Sequence, residues 1–290
     1  MNAPPRRRIM LCADDYGISP AVSGAIRDLL ARRRINATSV MVAAPSMDAA
    51  EAAALIAAAN GAAIGLHLTL TAPFEPLSHA YAPLRHGAFL SLPAMLRRAH
   101  LRLLKPERIA IEIAHQLAAF TAAFGRPPDF VDGHQHVHLL PQVREALLRG
   151  VKDAAPGAWL RQCGRIALPT HQRLADRKAL LLDGLSRRFC RLARDAGVPT
   201  NPAFAGTYAF HSRTDYRTLF ARFLDGLPDG GVIMCHPGIV DAELARLDPV
   251  TDAREREYAF FLDDAFPRLL AARGAVLQPI SPVNPLPVRK

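Results

Sequence analysis

The stretch IMLCADDYG, residues 9–17, is the part of the sequence that best indicates the fold. A short apolar run ends in two adjacent carboxylates, Asp14 and Asp15, before a glycine turn and a helix start. Such a run, bounded by a turn, is typical of a buried strand, and α/β folds carry their chemistry at the carboxyl ends of buried strands. Two neighbouring acids there predict a site for a cation or for proton transfer.

Strand and helix patterns alternate from this stretch to the end of the chain. Apolar runs predict seven strands, which begin near residues 9, 38, 63, 129, 158, 231 and 275. Alternation without a repeat or a linker predicts a single α/β domain over residues 1–290, a distorted (β/α) barrel of about seven parallel strands. Two proline-containing stretches, 72–104 and 198–213, are expected to be loop excursions over the barrel mouth, the first with a short helix in its later part.

Composition limits the classes of partner. The chain has 290 residues, half of them hydrophobic, and a formal charge of +10 that comes almost entirely from arginine. Such a charge suits an anionic surface, although solvated helix faces in an arginine-rich protein give the same balance. Basic runs are not interleaved with aromatic residues, so no nucleic-acid partner is predicted. Peripheral contact with an anionic membrane stays open.

The cysteines indicate a compartment. Four are scattered along the chain without a CxxC pair: Cys12, Cys163, Cys190 and Cys235. Buried thiols of this kind favour a reducing environment and argue against a zinc ribbon. The apolar run after the basic residues 1–8 is too short for a signal peptide, and no run approaches the ~18 apolar residues of a membrane span. We therefore expect a cytoplasmic protein.

Residues 63–70 alternate in character along a predicted strand. Isoleucine and leucines occupy one face, and Gly65, His67 and Thr69 occupy the other. Because the branched face must be buried under helices, His67 is expected to point into the barrel. A histidine in that position is commonly a satisfied core residue, so its neighbours decide whether it does chemistry.

The run DGHQHVH, residues 132–138, is the most specific polar signal. Its three histidines would share one face if the chain were extended, and a metal site or a polar pocket would need that arrangement. A further histidine, His236, follows the strand that begins near residue 231. One carboxylate and two imidazoles form a common three-point site for a divalent ion. A second carboxylate nearby could remove a proton from water.

Four stretches together resemble a known family: ADDYG at 13–17, GLHLTLT at 65–71, DGHQHVH at 132–138 and CHPG at 235–238. In content and order they are similar to the YdjC-like, or ChbG/HpnK, carbohydrate deacetylases. That resemblance implies a distorted (β/α) barrel, one divalent ion (magnesium or zinc), and removal of an N-acetyl group from an amino sugar. Tyr16 departs from the phenylalanine usual in the family. The histidine run looks closer to the chito-oligosaccharide branch than to the hopanoid-linked one.

The resemblance also implies residue roles. Asp15, His67 and His134 would bind the metal ion, Asp14 would be the general base, and His236 is the candidate general acid. Four further residues are candidates for supporting the site or contacting substrate: His136, His138, Arg161 and Tyr208.

The last two of these candidates come from position rather than from the resemblance. Arg161 ends its predicted strand and could donate to a sugar hydroxyl or an anionic group. Tyr208 is one of several loop aromatics that could stack on a sugar ring or could simply plug the barrel mouth; the others are Phe74, Tyr81, Phe204 and Phe210.

Two other functions compete with deacetylation. A metal-dependent phosphoesterase would also use a histidine-rich barrel, but it would need a denser set of carboxylates for two metals. A basic, non-catalytic binder of an anionic lipid or polymer would explain the positive net charge. It would give no role to the acids and histidines at the strand ends. The substrate is expected to be a free or a lipid-linked amino sugar, and a homodimer stays open.

Overall fold

The computed structural model describes residues 6–165, 177–210 and 215–280. Its strands are β1 (Arg7–Tyr16), β2 (Ala37–Val40), β3 (Ala63–Leu68), β4 (Phe130–Gly133), β5 (Trp159–Leu160), β6 (Phe204–Ala205), β7 (Gly231–Cys235) and β8 (Ala275–Leu277). Its helices are α1 (Pro20–Ala31), α2 (Ala49–Ala58), α3 (Leu92–His100), α4 (Pro106–Phe124), α5 (Val143–Ala154), α6 (Arg177–Asp195), α7 (Tyr216–Leu224), α8 (Ala242–Leu247), α9 (Asp252–Leu262) and α10 (Ala265–Ala272).

The sheet curls into the predicted barrel of parallel strands. Seven strands follow the order β5-β4-β3-β2-β1-β7-β6, and β8 pairs with Arg7–Ile9 at the start of β1. The two ends of this order approach each other, because Leu160 of β5 forms a parallel bridge with Thr200, four residues before β6. The carboxyl ends of all strands therefore face one rim.

Helices cover the outer face of the sheet, as the sequence pattern predicts. In β3, Ile64, Leu66 and Leu68 are buried. Helix α1 begins where expected, since the Ser19 side chain accepts from the amide of Val22. Such a cap satisfies an amide that has no partner within the helix. No helix of the described part combines the length and the apolar composition needed to cross a membrane.

The inner face carries an apolar layer. Phe130 and Trp159, on neighbouring strands, stack with ring centroids 4.9 Å apart. A Cβ atom at Gly65 would lie 2.4 Å from the Phe130 ring, so only glycine leaves room for it. Alternation of small and large inward residues fills a small barrel. The polar residues two positions further along these strands therefore lie directly above a tightly packed apolar layer.

Some local structure differs from the predictions. Strand β6 lies within the predicted loop excursion 198–213, and the short helix α8 was not predicted. Residues His134–Leu139 form a tight 3₁₀ turn and are not extended, because Gln135 and His136 adopt left-handed backbone conformations. The sequence also predicts helix starts at Asp176 and Thr214, and both residues lie outside the described ones, as do residues 211–213 of the second excursion.

Candidate metal centre

A backbone irregularity brings two adjacent acids to one centre. Neighbouring residues of a strand normally point to opposite faces, but the register of β1 against β2 shifts between Ala13 and Tyr16. Within this bulge Asp15 has a φ of 67°. A left-handed conformation costs a non-glycine residue on the order of 1–3 kcal/mol and persists where the surroundings fix it. The bulge leaves the side chains of Asp14 and Asp15 both buried at the rim.

Asp15 lies at the centre of a carboxylate and imidazole cluster. Its Oδ1 is 2.9 Å from Nδ1 of His134 and 3.2 Å from Nε2 of His67. The three residues are buried, and one ligand atom from each lies within 4.8 Å of the others. The other oxygen of Asp15 accepts from Arg254 at 2.6 Å. The structure thus brings together the three residues that the family resemblance names as metal ligands.

The hydrogen bonding of His67 shows what the cluster is suited to hold. Its Nδ1 is 2.6 Å from Oδ1 of Asp132 and 3.0 Å from the Ser39 hydroxyl. In the neutral form of the ring, the carboxylate accepts the Nδ1 proton and Nε2 presents its lone pair. That atom is buried without a hydrogen-bond partner in the described residues and faces Asp15 Oδ1. Two acceptors facing each other call for a cation or a proton between them.

Buried charge supports the same conclusion. Among the residues that the structure describes, Asp14, Asp15 and Asp132 are buried beside two buried guanidinium groups, those of Arg161 and Arg254. Burial alone would lower the pKa of His67, but the charges of Asp132 and Asp14 and the hydrogen bond to Asp132 raise it to about 10. A site that draws a proton onto His67 this strongly also suits a divalent cation with nitrogen and oxygen ligands.

We expect cation binding to release this proton. With a pKa of about 10, His67 is protonated at pH 7.5 in the metal-free protein, and a cation at Nε2 must displace that proton. Calorimetric titration with Zn²⁺ or Mn²⁺ in buffers of different ionisation enthalpy should show roughly one proton released per ion. Between about pH 7 and 9 the affinity should therefore rise as the pH rises. Binding enthalpies independent of the buffer would contradict this.

Asp14 is held on the other side of the cluster by Arg161. The two guanidinium nitrogens donate to its two oxygens at 2.7 and 2.5 Å. Burial would raise the pKa of Asp14, but the charge and hydrogen bonds of Arg161, together with the charge of His67, lower it below its usual range. The carboxylate is therefore ionised, oriented and weakly basic.

Arg161 connects this acid to the cluster. It is completely buried, and its guanidinium also lies 3.0 Å from Oδ2 of Asp132, whose other oxygen contacts His67. An unbroken chain of contacts therefore runs from Asp14 to Asp15. The predicted contact of Arg161 with substrate remains a prediction, and the contacts observed for its guanidinium are with these acids.

A second group of possible ligands, formed by Cys12, Asp14 and Asp132, lies next to the first. The guanidinium of Arg161 already contacts both of its carboxylates. Burial raises the pKa of the Cys12 thiol well above its usual value, and a protonated thiol is a poor ligand. Of the two groups, the one that contains Asp15 is therefore better suited to hold a cation.

His236 lies at the edge of the cluster. Its Nε2 is 3.9 Å from Oδ2 of Asp15, and the ring of Phe210 meets its face edge-on at 5.3 Å. Burial lowers the pKa of His236 to about 4 despite the nearby charges of Asp15 and Asp14. The ring is therefore neutral at pH 7, so an acid role requires it to gain a proton during the reaction.

The other predicted contact residues lie around the cluster. His138 is fully buried, and its Nε2 donates to the carbonyl oxygen of Arg161 at 2.7 Å. His136 packs edge-on against Phe204. Tyr208 is partly buried, and its hydroxyl donates to Glu257. Their substrate roles stay predictions.

The five aromatic residues predicted to stack on a sugar or to plug the barrel mouth differ in exposure. Three of them are buried: Phe74, Tyr81 and Phe204. Tyr208 and Phe210 keep partial exposure. These two rings remain available to a ligand at the rim.

Sequence reasoning did not select several residues that shape the site. Asp132 begins the histidine motif, and nothing in the sequence alone separates a buried carboxylate there from a turn residue. Arg254 and Glu257 lie on α9, where charged residues at helical spacing predict a solvated face, yet both are completely buried. No motif marks them in the sequence.

Together the fold and the site define a parallel α/β barrel protein with a buried carboxylate and imidazole cluster at its carboxyl rim that could hold a cation. The model of the YdjC-like protein family matches residues 8–272. The chain therefore belongs to the YdjC-like family, as the resemblance predicted.

Named relatives lie in the same family. Chitooligosaccharide deacetylase of Serratia marcescens is 33% identical over 240 residues, which covers 81% of this chain and 83% of the relative. Carbohydrate deacetylase of Mus musculus is 29% identical over 257 residues, which covers 81% and 79%. A protein of Enterococcus faecalis V583, described as a candidate cellobiose-phosphate cleavage protein, has the same fold. Its TM-score is 0.74 at 21% identity, over 94% of this chain and 97% of that one.

Proposed function

We propose that this protein is a metal-dependent N-deacetylase of amino sugars. The arrangement of Asp15, His67 and His134 beside an oriented, ionised Asp14 carries the proposal. The relatives named as chitooligosaccharide deacetylases make an N-acetylglucosamine compound the preferred substrate class.

The cation would be held by Asp15 and by the imidazoles of His67 and His134. When bound, it supplies positive charge that polarises an amide carbonyl and makes a nearby water more acidic. That acidity matters here because Asp14 is a weak base, with a pKa below the usual range. Arg254 keeps one oxygen of Asp15 occupied, so the other is the oxygen available to the cation.

The chain's own residues would handle the protons. Asp14, oriented by Arg161, takes a proton from the attacking water, whose oxygen bonds to the acetyl carbon. The carbon–nitrogen bond then breaks, and the amine nitrogen must receive a proton to leave. His236 is the proposed donor, and because its pKa is about 4 it must acquire that proton within the cycle, from the one that Asp14 removed.

Acetate release tests the proposal. The panel would contain N-acetylglucosamine, its β-1,4-linked dimer and trimer, and a lipid-linked N-acetylglucosamine, each with chelator and with added Mg²⁺ or Zn²⁺. We expect acetate from at least one compound, lost with chelator and restored by metal. A phosphate ester assayed in parallel covers the phosphoesterase alternative. Phosphate release without acetate release would reject the proposal.

A further inference from the structure

Helix α9 presents two buried charged residues to the site from one face. Arg254 and Glu257 are three positions apart, so their side chains lie on neighbouring turns. Both are completely buried. Arg254 bonds to the proposed metal ligand Asp15 and to Asp248. Glu257 has no contact with a proposed ligand and needs a separate explanation.

The carboxylate of Glu257 joins two other segments of the chain. Its Oε2 accepts from the backbone amide of His236, directly after β7, at 2.6 Å. Its Oε1 accepts from the hydroxyl of Tyr208, in the segment after β6, also at 2.6 Å. Hydrogen bonds to an ionised carboxylate are about twice as strong as neutral ones. One side chain therefore fixes the relative positions of three elements.

Both attached segments lead back to the same imidazole. The ring of Tyr208 contacts that of Phe210 at 4.3 Å, and Phe210 contacts the ring of His236 at 5.3 Å. Phe210 itself has a left-handed backbone, with a φ of 53°. Glu257 therefore holds the backbone of His236 directly and limits its ring through Tyr208 and Phe210.

We propose that Glu257 is a positioning residue for the reaction, which fixes the imidazole of His236 at the edge of the cation site. Its effect on turnover rests on the function proposed above, in which His236 passes a proton to the amine. Its effect on the placement of the ring does not depend on any activity.

The test compares Glu257→Gln with Glu255→Gln, the same change at an exposed carboxylate of the same helix. Histidine ring resonances are recorded with ¹³C-labelled histidine at a pH of about 8.5, where Glu257 is ionised because its pKa, raised by burial, is about 7. His236→Ala assigns the signal. We expect the His236 resonance to shift in Glu257→Gln and to stay in place in Glu255→Gln.

Kinetic and binding measurements complete the test. Loss of a charge-assisted contact predicts a kcat lower by at least about tenfold in Glu257→Gln. KM and the affinity for Mg²⁺ or Zn²⁺ should change less than about twofold, because Glu257 contacts no proposed ligand. A general structural role would instead weaken metal binding and turnover together.

Each contrary outcome is distinct. An unmoved His236 resonance, or an unchanged kcat, overturns the positioning role. If Glu257→Gln does not fold, Tyr208→Phe removes the hydrogen bond that Tyr208 donates to Glu257 and must shift the same resonance. If the wild-type protein releases no acetate while the resonance still shifts, the proposed function fails and the fixed placement of His236 stands.

Discussion

Replacement of Asp14 by asparagine is expected to abolish measurable turnover while cation binding persists. Asp14 is the proposed base, and general base catalysis contributes about 10²–10⁴-fold to a rate. It is not one of the three residues that group around the cation position. The amide cannot accept a proton, so kcat should fall by that factor or more, with Kd for the ion within a few-fold of the wild-type value.

The same substitution also disturbs Arg161, whose ion pair with Asp132 remains. A melting curve must therefore accompany the kinetics. Asp48→Asn is the matched control, because Asp48 caps α2 and asparagine caps a helix equally well. Turnover retained in Asp14→Asn protein would remove Asp14 from the mechanism. Loss of metal binding with the fold intact would instead make it a ligand.

The second large effect is expected at the ligands themselves. His134→Ala removes one imidazole at the rim, where the ring contacts Asp15 and Phe74. Loss of residues that merely support a ligand costs about 10–100-fold in metal affinity. A ligand should cost more than this range, so calorimetry should show a Kd raised over a hundredfold and turnover lost with it.

The control for that variant comes from the same turn. His136→Ala removes a ring two residues away that does not belong to the three-residue group. Its loss of affinity for the ion should not exceed the about 10–100-fold expected for a residue that supports a ligand. His67→Gln provides a second ligand variant that keeps most of the buried volume. Unaltered metal binding in both ligand variants would refute the site.

The sequence predicts most where local pattern and topology agree. The alternation in β3 places His67 inside the barrel, and the strand ends place Asp14 and Asp15 at its rim; the contacts bear out both placements. The pairing of distant residues follows from parallel topology alone. Both placements follow from the alternation of side chains along a strand and from the order of the strands in a parallel sheet.

The sequence predicts least where the backbone leaves its regular path or a helix contradicts its own pattern. The left-handed Gln135 and His136 break the alternation of the histidine run, so His134 reaches the cluster and His138 turns towards the backbone of Arg161. Arg254 and Glu257 are buried on a helix whose charges predict exposure. Their partners lie on other segments of the chain, and only the folded geometry reveals them.

The chain of contacts from Asp14 through Arg161, Asp132 and His67 to Asp15 limits how this centre can evolve. Each member neutralises or orients the next, so the penalty of one substitution depends on which residues occupy the other four positions. Epistasis should therefore be strong among these five sites and weak elsewhere. A lineage that abandons the reaction would be expected to lose all five residues together. The glycine and the aromatic residues that pack beneath them would persist, because they stabilise the fold.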